Sequence, residues 1–149
     1  MWERAVDICI TTYNRNHRLI ETIEKLSLQT VQSFNLIIND DGSKELIDPN
    51  LYPAVTKYIW NKDNGYHRVA RFNESVSMCV SPYIILLDDD SVPDNEFFLE
   101  EHIKALHLHE FSKGSVRFGN GKFATGWFST ANIGFRRSTI NRIGLFDMH

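Results

Sequence analysis

Long apolar segments are missing from this sequence of 149 residues. No window approaches the roughly 18 consecutive apolar residues that a helix needs to span a bilayer. Residues Met1 to Arg4 also lack the apolar segment of a secretory signal peptide. We therefore expect no membrane span and a cytoplasmic location, either as a whole protein or as the cytoplasmic part of a longer polypeptide.

The sequence also has few cysteines and no excess of positive charge. The only two cysteines, Cys9 and Cys79, each lie inside an apolar run, which is typical of buried, reduced thiols rather than of a disulfide framework. The 16 basic residues are outnumbered by 19 acidic ones, which argues against a surface for nucleic acid. Repeats, low-complexity tracts and linkers are absent as well, so we expect one domain over residues 1–149.

Four apolar runs of strand length alternate with segments of helical periodicity. The runs cover Ala5–Ile10, Phe34–Asn39, Val55–Trp60 and Tyr83–Leu87. Helices are predicted from Asn14 or Asn16 to Leu28, from Val69 to Val80 and from about Asn95 to His109. Strands that are apolar throughout and separated by helices indicate a mostly parallel sheet covered on both faces. The expected fold class is therefore α/β.

The pattern changes in the last third of the sequence, where glycines separate short apolar pieces. The segment Phe128–Arg136 is predicted to add an antiparallel strand, and a short helix over Ser138–Ile143 should end at the following glycine. The preceding helix carries His102, His107 and His109 among acidic residues. We expect these histidines on the exposed surface of the helix.

Acidic residues follow the fourth predicted strand at its carboxyl end, the edge at which open parallel sheets bind ligands. Asp88 and Asp90 are separated by one residue, so both carboxylates can point the same way while Asp89 faces away. Three adjacent acids repel one another unless a cation offsets their charge. Hard oxygen ligands favour Mg²⁺ or Mn²⁺. We therefore predict a metal site at Asp88 and Asp90.

The segment Asp40-Asp41-Gly42-Ser43 follows the second predicted strand. Its composition is typical of a turn, in which glycine supplies a positive φ. An ionised carboxylate is also an acceptor only, which makes Asp41 a candidate to accept a hydrogen bond from a base imide or a ribose hydroxyl. The turn and the ligand role are compatible.

The polar motifs occur in a characteristic order along the chain. They are Thr12-Tyr13-Asn14-Arg15, Gln29-Thr30, Asp40-Asp41-Gly42-Ser43, Asn64-Gly65 with Ala70-Arg71 and Asn73, Tyr83-Ile84 with Leu87-Asp88 and Asp90, and finally Asn132, Arg136 and Ile143-Gly144 with Phe146-Asp147. In this order the sequence resembles the family 2 glycosyltransferases of the GT-A fold over nearly its whole length. The resemblance implies a Rossmann-like, mostly parallel sheet flanked by helices. It also implies a nucleotide-sugar-binding half over about residues 1–94 and the start of an acceptor-side half over about residues 95–149.

The chemistry that the resemblance implies is a metal-dependent, usually inverting transfer of a sugar from a nucleotide-sugar donor, with a UDP-sugar expected, to a glycan or other hydroxyl acceptor. Asp90 would ligate Mn²⁺ or Mg²⁺ directly, and Asp88 would approach both the ribose and the metal. The other implied donor-binding residues are Thr11, Tyr13, Arg15, Asp41, Asn64, Gly65, Arg68, Arg71 and Asp89. Arg68 and Arg71 lie on one helical face, where a guanidinium suits phosphate, although a solvated helix surface is an equally open interpretation.

The acceptor is expected to approach near Trp127 and Asn132, because an aromatic face stacks well on sugar C–H groups, although Trp127 could equally be a core residue. Family members continue past the Gly-x-Phe-Asp segment to an acidic pair that supplies the general base, and this sequence stops before such a pair. Asp147 is then the one candidate base in this region. A truncated domain that binds nucleotide-sugar with little or no transfer is the alternative function.

Two other protein classes with related sheets fit the sequence less well. A signalling receiver domain has its acidic pair after the first strand, whereas here the pair Asp40-Asp41 follows the second strand and an acidic triplet follows the fourth. A sugar-phosphate nucleotidylyltransferase should have a glycine-rich, arginine-containing loop after the first strand, where this sequence has Thr11-Thr12-Tyr13. Neither class is therefore favoured.

Overall fold

The computed structural model describes residues 5–124 and 130–148. Its strands are β1 (Val6–Thr12), β2 (Phe34–Asp40), β3 (Lys57–Trp60), β4 (Tyr83–Asp88), β5 (Phe111–Lys113), β6 (Val116–Arg117), β7 (Phe123–Ala124) and β8 (Asn132–Arg136). Six of them form one sheet in the order β3-β2-β1-β4-β8-β5, while β6 and β7 form a separate antiparallel pair. Strands β1 to β4 are mutually parallel, and β8 runs antiparallel to both β4 and β5.

Helices cover both faces of this sheet. They are α1 (Asn16–Ser27), α2 (Arg68–Ser77), α3 (Phe98–Leu108) and α4 (Arg137–Ile143), and a single 3₁₀ turn covers Pro49–Leu51. Side chains alternate along a strand, so Ile8 and Ile10 of β1 join one core cluster with α1 and α3, whereas Cys9 joins the other with α2. The apolar strands therefore separate two cores, as the sequence pattern predicts.

The structure confirms the α/β class and the antiparallel addition next to β4. Of the strand predicted over residues 128–136, residues 132–136 form β8, whereas residues 130 and 131 form a turn before it. The sequence did not predict β5, β6 or β7, which have only two or three residues each. Such short strands carry no measurable hydrophobic periodicity, and their pairing depends on residues distant in the chain.

The prediction of an exposed His102 is wrong. His102 is only 5% exposed, because it lies on the same face of α3 as the buried residues Leu99, Ile103 and Leu106. His107 and His109 are exposed, as expected, although the ring of His107 also contacts the hydroxyl of Tyr83. The three histidines therefore do not share one environment.

The two cysteines are buried and free, with their sulfur atoms 3.5 Å apart between β1 and the end of α2. Close to them, the fully buried carboxylate of Asp7 accepts hydrogen bonds from the amides of Val80 and Ser81, from the Ser81 hydroxyl and from the Asn35 side chain. Asp7 thereby holds the connection between α2 and β4 against β1.

No helix within residues 5–124 and 130–148 combines the length and apolar character needed to cross a membrane.

Candidate functional site at the carboxyl edge of the sheet

The parallel register brings the ends of three strands to one edge. Thr11 of β1 pairs with Asn39 of β2 on one side and with Asp88 of β4 on the other, and the Asp41 amide donates to the Thr12 carbonyl at 3.0 Å. The Thr11 hydroxyl is buried at this edge without a hydrogen-bond partner among the described residues. A buried hydroxyl that lacks a partner in the folded chain is suited to a ligand.

The carboxylates of Asp88 and Asp89, at the end of β4, point in different directions. Asp89 is buried, accepts from the Thr12 hydroxyl at 2.9 Å, and its carbonyl accepts from the Thr22 hydroxyl of α1 at 2.8 Å. Asp88 lies on the α2 side of the sheet, where Arg68 donates to it, and its amide donates to the Ala131 carbonyl at 3.3 Å. Asp89 therefore shapes the loop, while the carboxylate of Asp88 remains at its surface.

Burial is the main cause of the shifted pKa values of Asp88 and Asp89. It raises the pKa of Asp88, and the neighbouring carboxylates of Asp90 and Asp89 raise it further, while Arg68 opposes the shift. Burial likewise raises the pKa of Asp89, against the hydrogen bond from Thr12 and the charge of Arg15. Burial therefore disfavours the charged form of Asp88 and Asp89, and a nearby positive charge favours it.

The first turns of α2 bring two arginines to the same edge. The Arg71 Nε atom donates to Asp41 Oδ1 at 2.8 Å, and its Nη1 atom donates to Asn61 Oδ1 at 2.8 Å. Arg68 donates to Asp88 and, at 2.8 Å, to the Thr130 hydroxyl. Both arginines thus connect α2 to the strand ends, and neither lies on a purely solvated helix surface.

Asp41 is buried and holds the loop after β3 in place. Its Oδ2 atom accepts from the backbone amide of His67 at 2.8 Å, while Oδ1 accepts from Arg71. Gly42 has a φ of +107°, and a Cβ atom there would lie 2.5 Å from the backbone of Asp63. The turn after β2 and the loop after β3 therefore pack directly on each other. Each carboxylate oxygen of Asp41 keeps a second lone pair for a further donor.

The remaining donor-site candidates of this region form the rim of the loop. The exposed Tyr13 donates to Asp63 Oδ2 at 2.9 Å, and this hydrogen bond raises the pKa of the Tyr13 hydroxyl. Asn64 is exposed and its carbonyl lies 2.9 Å from a ring nitrogen of His67, while Gly65 has a φ of +94°. These residues are therefore exposed on the loops that follow β1 and β3, beside the buried Asp41.

A cleft of about 860 Å³ adjoins the acidic triplet on the α3 side of the sheet. Asp88 and Asp90 line it together with residues of α1, α3, β5 and β6. Asn132, predicted on the acceptor side, is 9% exposed and forms part of the cleft wall. Its Oδ1 atom accepts a hydrogen bond from His102 Nε2 at 2.8 Å, and its amide nitrogen donates to the Ser115 carbonyl at 3.3 Å.

The two other residues predicted for catalysis and acceptor binding have different outcomes. Asp147 is exposed and follows Phe146, whose backbone amide and carbonyl each form a 2.9 Å hydrogen bond with the side chain of Asn73 in α2. The ring of Phe146 also packs edge-on against Phe135 at 6.3 Å. This pair of hydrogen bonds holds the segment before Asp147 on α2. Trp127 lies outside the described residues.

Sequence reasoning assigned no role at this edge to four residues that shape it: Thr12, Thr22, Thr130 and His102. Their hydrogen-bond partners are between 10 and 77 residues away in the chain, so no local motif identifies them. His102 alone had a sequence signal, since it is spaced three residues after Leu99 and four before Leu106 on a helical face.

Across residues 5–124 and 130–148, no cluster of three or more His, Cys, Asp or Glu side chains is arranged as a complete metal site.

Comparison with known proteins agrees with this architecture. The family described as "Glycosyl transferase family 2" matches residues 7–148. An uncharacterized glycosyltransferase, YwdF of Bacillus subtilis (strain 168), is 31% identical over 102 residues, which cover 68% of this chain and 36% of that protein. The chondroitin synthase of Escherichia coli is 32% identical over 111 residues, 71% of this chain and 16% of the synthase. The chain thus spans only part of the length of these relatives.

Solved structures show the same fold at low identity. S. aureus TarS 1–349 superposes with a TM-score of 0.79 at 14% identity, over 93% of this chain and 48% of that one. The mannosyltransferase PcManGT from Pyrobaculum calidifontis, solved in complex with GDP-Man and Mn²⁺, gives a TM-score of 0.73 at 15% identity, over 99% of this chain and 48% of that one. These matches confirm the expected GT-A fold.

Proposed function

Since the chain belongs to glycosyl transferase family 2, we propose that it binds a nucleotide-sugar, a UDP-sugar in the first instance, and transfers the sugar with inversion to a hydroxyl group of a glycan. The observation that carries the proposal is the convergence of Thr11, Asp41, Asp88 and Arg68 at one sheet edge. Parallel sheets bind ligands at this edge.

The donor would lie along the strand ends. Asp41 and the loop at Asn64 and Gly65 would contact the base. The Thr11 hydroxyl, which has no hydrogen-bond partner among the described residues, is a candidate partner for the nucleoside. Arg68 and Arg71 would face the diphosphate, because their guanidinium groups already lie among carboxylates at this edge. Tyr13 and Arg15 complete the proposed donor side, while Asp89 acts through the shape of its loop.

The donor set also fits a divalent cation. Asp88 and Asp90 offer two hard oxygen ligands, and Mg²⁺ or Mn²⁺ is commonly held by one or two carboxylates with water and substrate phosphates completing the shell. A cation held there supplies positive charge that stabilises the leaving diphosphate. The structure of PcManGT was solved with GDP-Man and Mn²⁺, and that of TarS 1–349 with UDP-GlcNAc, which supports the same ligand classes here.

The acceptor would enter the cleft of about 860 Å³ beside Asn132, next to the acids that hold the donor. Asp147 is the proposed general base. The alternative, a domain that binds nucleotide-sugar without efficient transfer, makes the same binding predictions but predicts no sugar transfer to an acceptor.

Calorimetric titration tests the donor and metal assignments together. UDP, GDP and their sugars are titrated into the protein with and without Mn²⁺, and then into Asp90→Asn and Asp94→Asn. Asp94 lines the same cleft and its carboxylate is highly exposed, so its variant is a matched control for the loss of one charge. We expect Asp90→Asn to abolish the gain in affinity that Mn²⁺ provides, and Asp94→Asn to retain it. Unchanged donor affinity of Asp90→Asn in Mn²⁺ would remove this metal assignment.

A further inference from the structure

Both candidate metal ligands after β4 are paired with arginines in the folded chain. The Arg68 guanidinium donates to Asp88 Oδ1 and, at 2.8 Å, to the Thr130 hydroxyl. The Arg15 guanidinium donates to Asp90 Oδ2 at 3.1 Å. Arg15 comes from the loop between β1 and α1, and Arg68 from the first turn of α2, so the two cations approach the acids from different elements.

The two ion pairs differ in how firmly they are held. The side chains of Arg15 and Asp90 are 55% and 46% exposed, and exposed ion pairs contribute little to stability. The side chains of Arg68 and Asp88 are 32% and 25% exposed. The Arg68 guanidinium also lies 5.5 Å from the centre of the buried Phe72 ring. Arg68 is therefore held beside the acids more firmly than Arg15 is.

Arg68 and a metal ion would compete for the same carboxylate. A guanidinium and a divalent cation repel each other at short range, so a cation that binds Asp88 has to weaken or break the contact with Arg68. Without a nucleotide, the displaced guanidinium has lost a carboxylate partner. A diphosphate replaces that partner, because its oxygens match the planar fork of an arginine.

We propose that Arg68 exchanges Asp88 for the diphosphate of the donor when a divalent cation binds Asp88, and that this exchange makes cation and nucleotide bind cooperatively. The inference rests on the proposed function and adds a residue that couples its two ligands. Cooperativity of this kind is reciprocal: the factor by which the nucleotide tightens cation binding equals the factor by which the cation tightens nucleotide binding.

The exchange predicts in which direction the cation and nucleotide affinities change in a variant that lacks the guanidinium. Asp88 would then be free in the nucleotide-free protein, so a cation alone should bind more tightly. In the presence of the cation, the nucleotide should bind more weakly than it binds to the wild type, because the diphosphate has lost the arginine that the cation releases. Direct contact between cation and phosphate would persist, so the cooperativity should fall without vanishing.

The experiment measures Mn²⁺ affinity from the electron paramagnetic resonance signal of free Mn²⁺, with and without saturating UDP. It compares the wild type with Arg68→Gln and with Arg18→Gln. Arg18 lines the cleft that Asp88 and Asp90 also line, and it pairs with Glu21, so its variant loses the same charge near these acids without removing a contact to them. Arg68→Met, which keeps an apolar stem over Phe72, is the second variant if Arg68→Gln unfolds at a lower temperature.

We expect Arg68→Gln to bind Mn²⁺ alone about five- to tenfold more tightly than the wild type, and to show a cooperativity factor that is smaller by a similar ratio, within the usual range of coupling between sites. Arg18→Gln should match the wild type. If the wild type binds both Mn²⁺ and UDP but Arg68→Gln binds Mn²⁺ equally or more weakly, the proposed exchange is wrong while the proposed function stands. A wild type that binds neither UDP nor Mn²⁺ would overturn the proposed function as well.

Discussion

The Nε2 atom of His102 lies 2.8 Å from the Oδ1 atom of Asn132, and this contact joins α3 to β8 beside the cleft. The Asn132 amide nitrogen donates to the Ser115 carbonyl, so Oδ1 is the atom that faces His102, and Nε2 must carry the proton. The other ring nitrogen, Nδ1, then accepts from the Ser112 hydroxyl at 2.6 Å. The imidazole is therefore fully bonded in its neutral form, and burial lowers the pKa of His102 in agreement with this.

His102 should make the stability of the protein depend on pH. Its folded pKa is lower than that of an unfolded histidine, near 6.5, so acidification through this range protonates the unfolded chain first and destabilises the fold. His102→Gln keeps a donor and an acceptor but does not titrate. We expect urea unfolding to show a smaller gain in stability between about pH 5 and pH 7.5 for this variant than for the wild type. The exposed His109→Gln should retain the wild-type pH dependence, and identical slopes for all three proteins would contradict the assignment.

Gly134 is required by the close approach of β8 and β5. A Cβ atom there would overlap the Ser112 hydroxyl and lie 3.2 Å from His102 Nδ1. Gly134→Ala should therefore lower the free energy of unfolding by about 1–3 kcal/mol, measured by denaturant titration. Gly119→Ala is the control, since a Cβ atom there meets nothing within 4 Å.

A double variant separates this overlap from a general effect of the substitution. Ser112→Ala removes the hydroxyl that a Cβ on Gly134 would meet. The combination of Ser112→Ala and Gly134→Ala should consequently be less destabilised than the sum of the two single variants. Simple additivity would place the strain elsewhere.

Asp7 should be among the most sensitive buried polar positions. Asp7→Ala leaves four donors without an acceptor, two backbone amides and two side chains, in a fully buried environment. We expect a loss of at least about 2 kcal/mol in the free energy of unfolding, by the same denaturant titration. Asp94→Ala removes an exposed carboxylate and should change stability by much less. A small loss for Asp7→Ala would show that the α2–β4 connection holds without this carboxylate.

Asp147 can be tested as the proposed base by separating rate from binding. A positioned base contributes typically about 10² to 10⁴ in rate, so Asp147→Asn should lower kcat by that factor while the Kd for UDP stays unchanged. Asn73→Ala should also lower kcat, because Asn73 holds the backbone of Phe146 immediately before Asp147. Glu24→Gln, a substitution of an exposed acid on α1, should leave kcat as it is. Unaltered kcat of Asp147→Asn would assign the base to another group.

The fold class and the ligand edge could be predicted from particular residues. Ile84 to Leu87 form an uninterrupted apolar run, and such a run followed by Asp88 predicts a buried strand that ends at acids. The same local logic predicted the polar ends of β1 and β2, because the alternation of apolar strands and amphipathic helices is a property of neighbouring residues.

The sequence by itself thus determined which segments form the parallel strands and helices, and which polar residues follow them. Only the tertiary structure decided that β8 inserts between β4 and β5, that Asp89 turns toward Thr12 while Asp88 meets Arg68, and that His102 is buried. The physical reason is the distance along the chain over which each property is set. Periodicity reports the environment of a segment, whereas the partner of a buried polar group is chosen by strand order and helix packing, here across as many as 77 residues of chain.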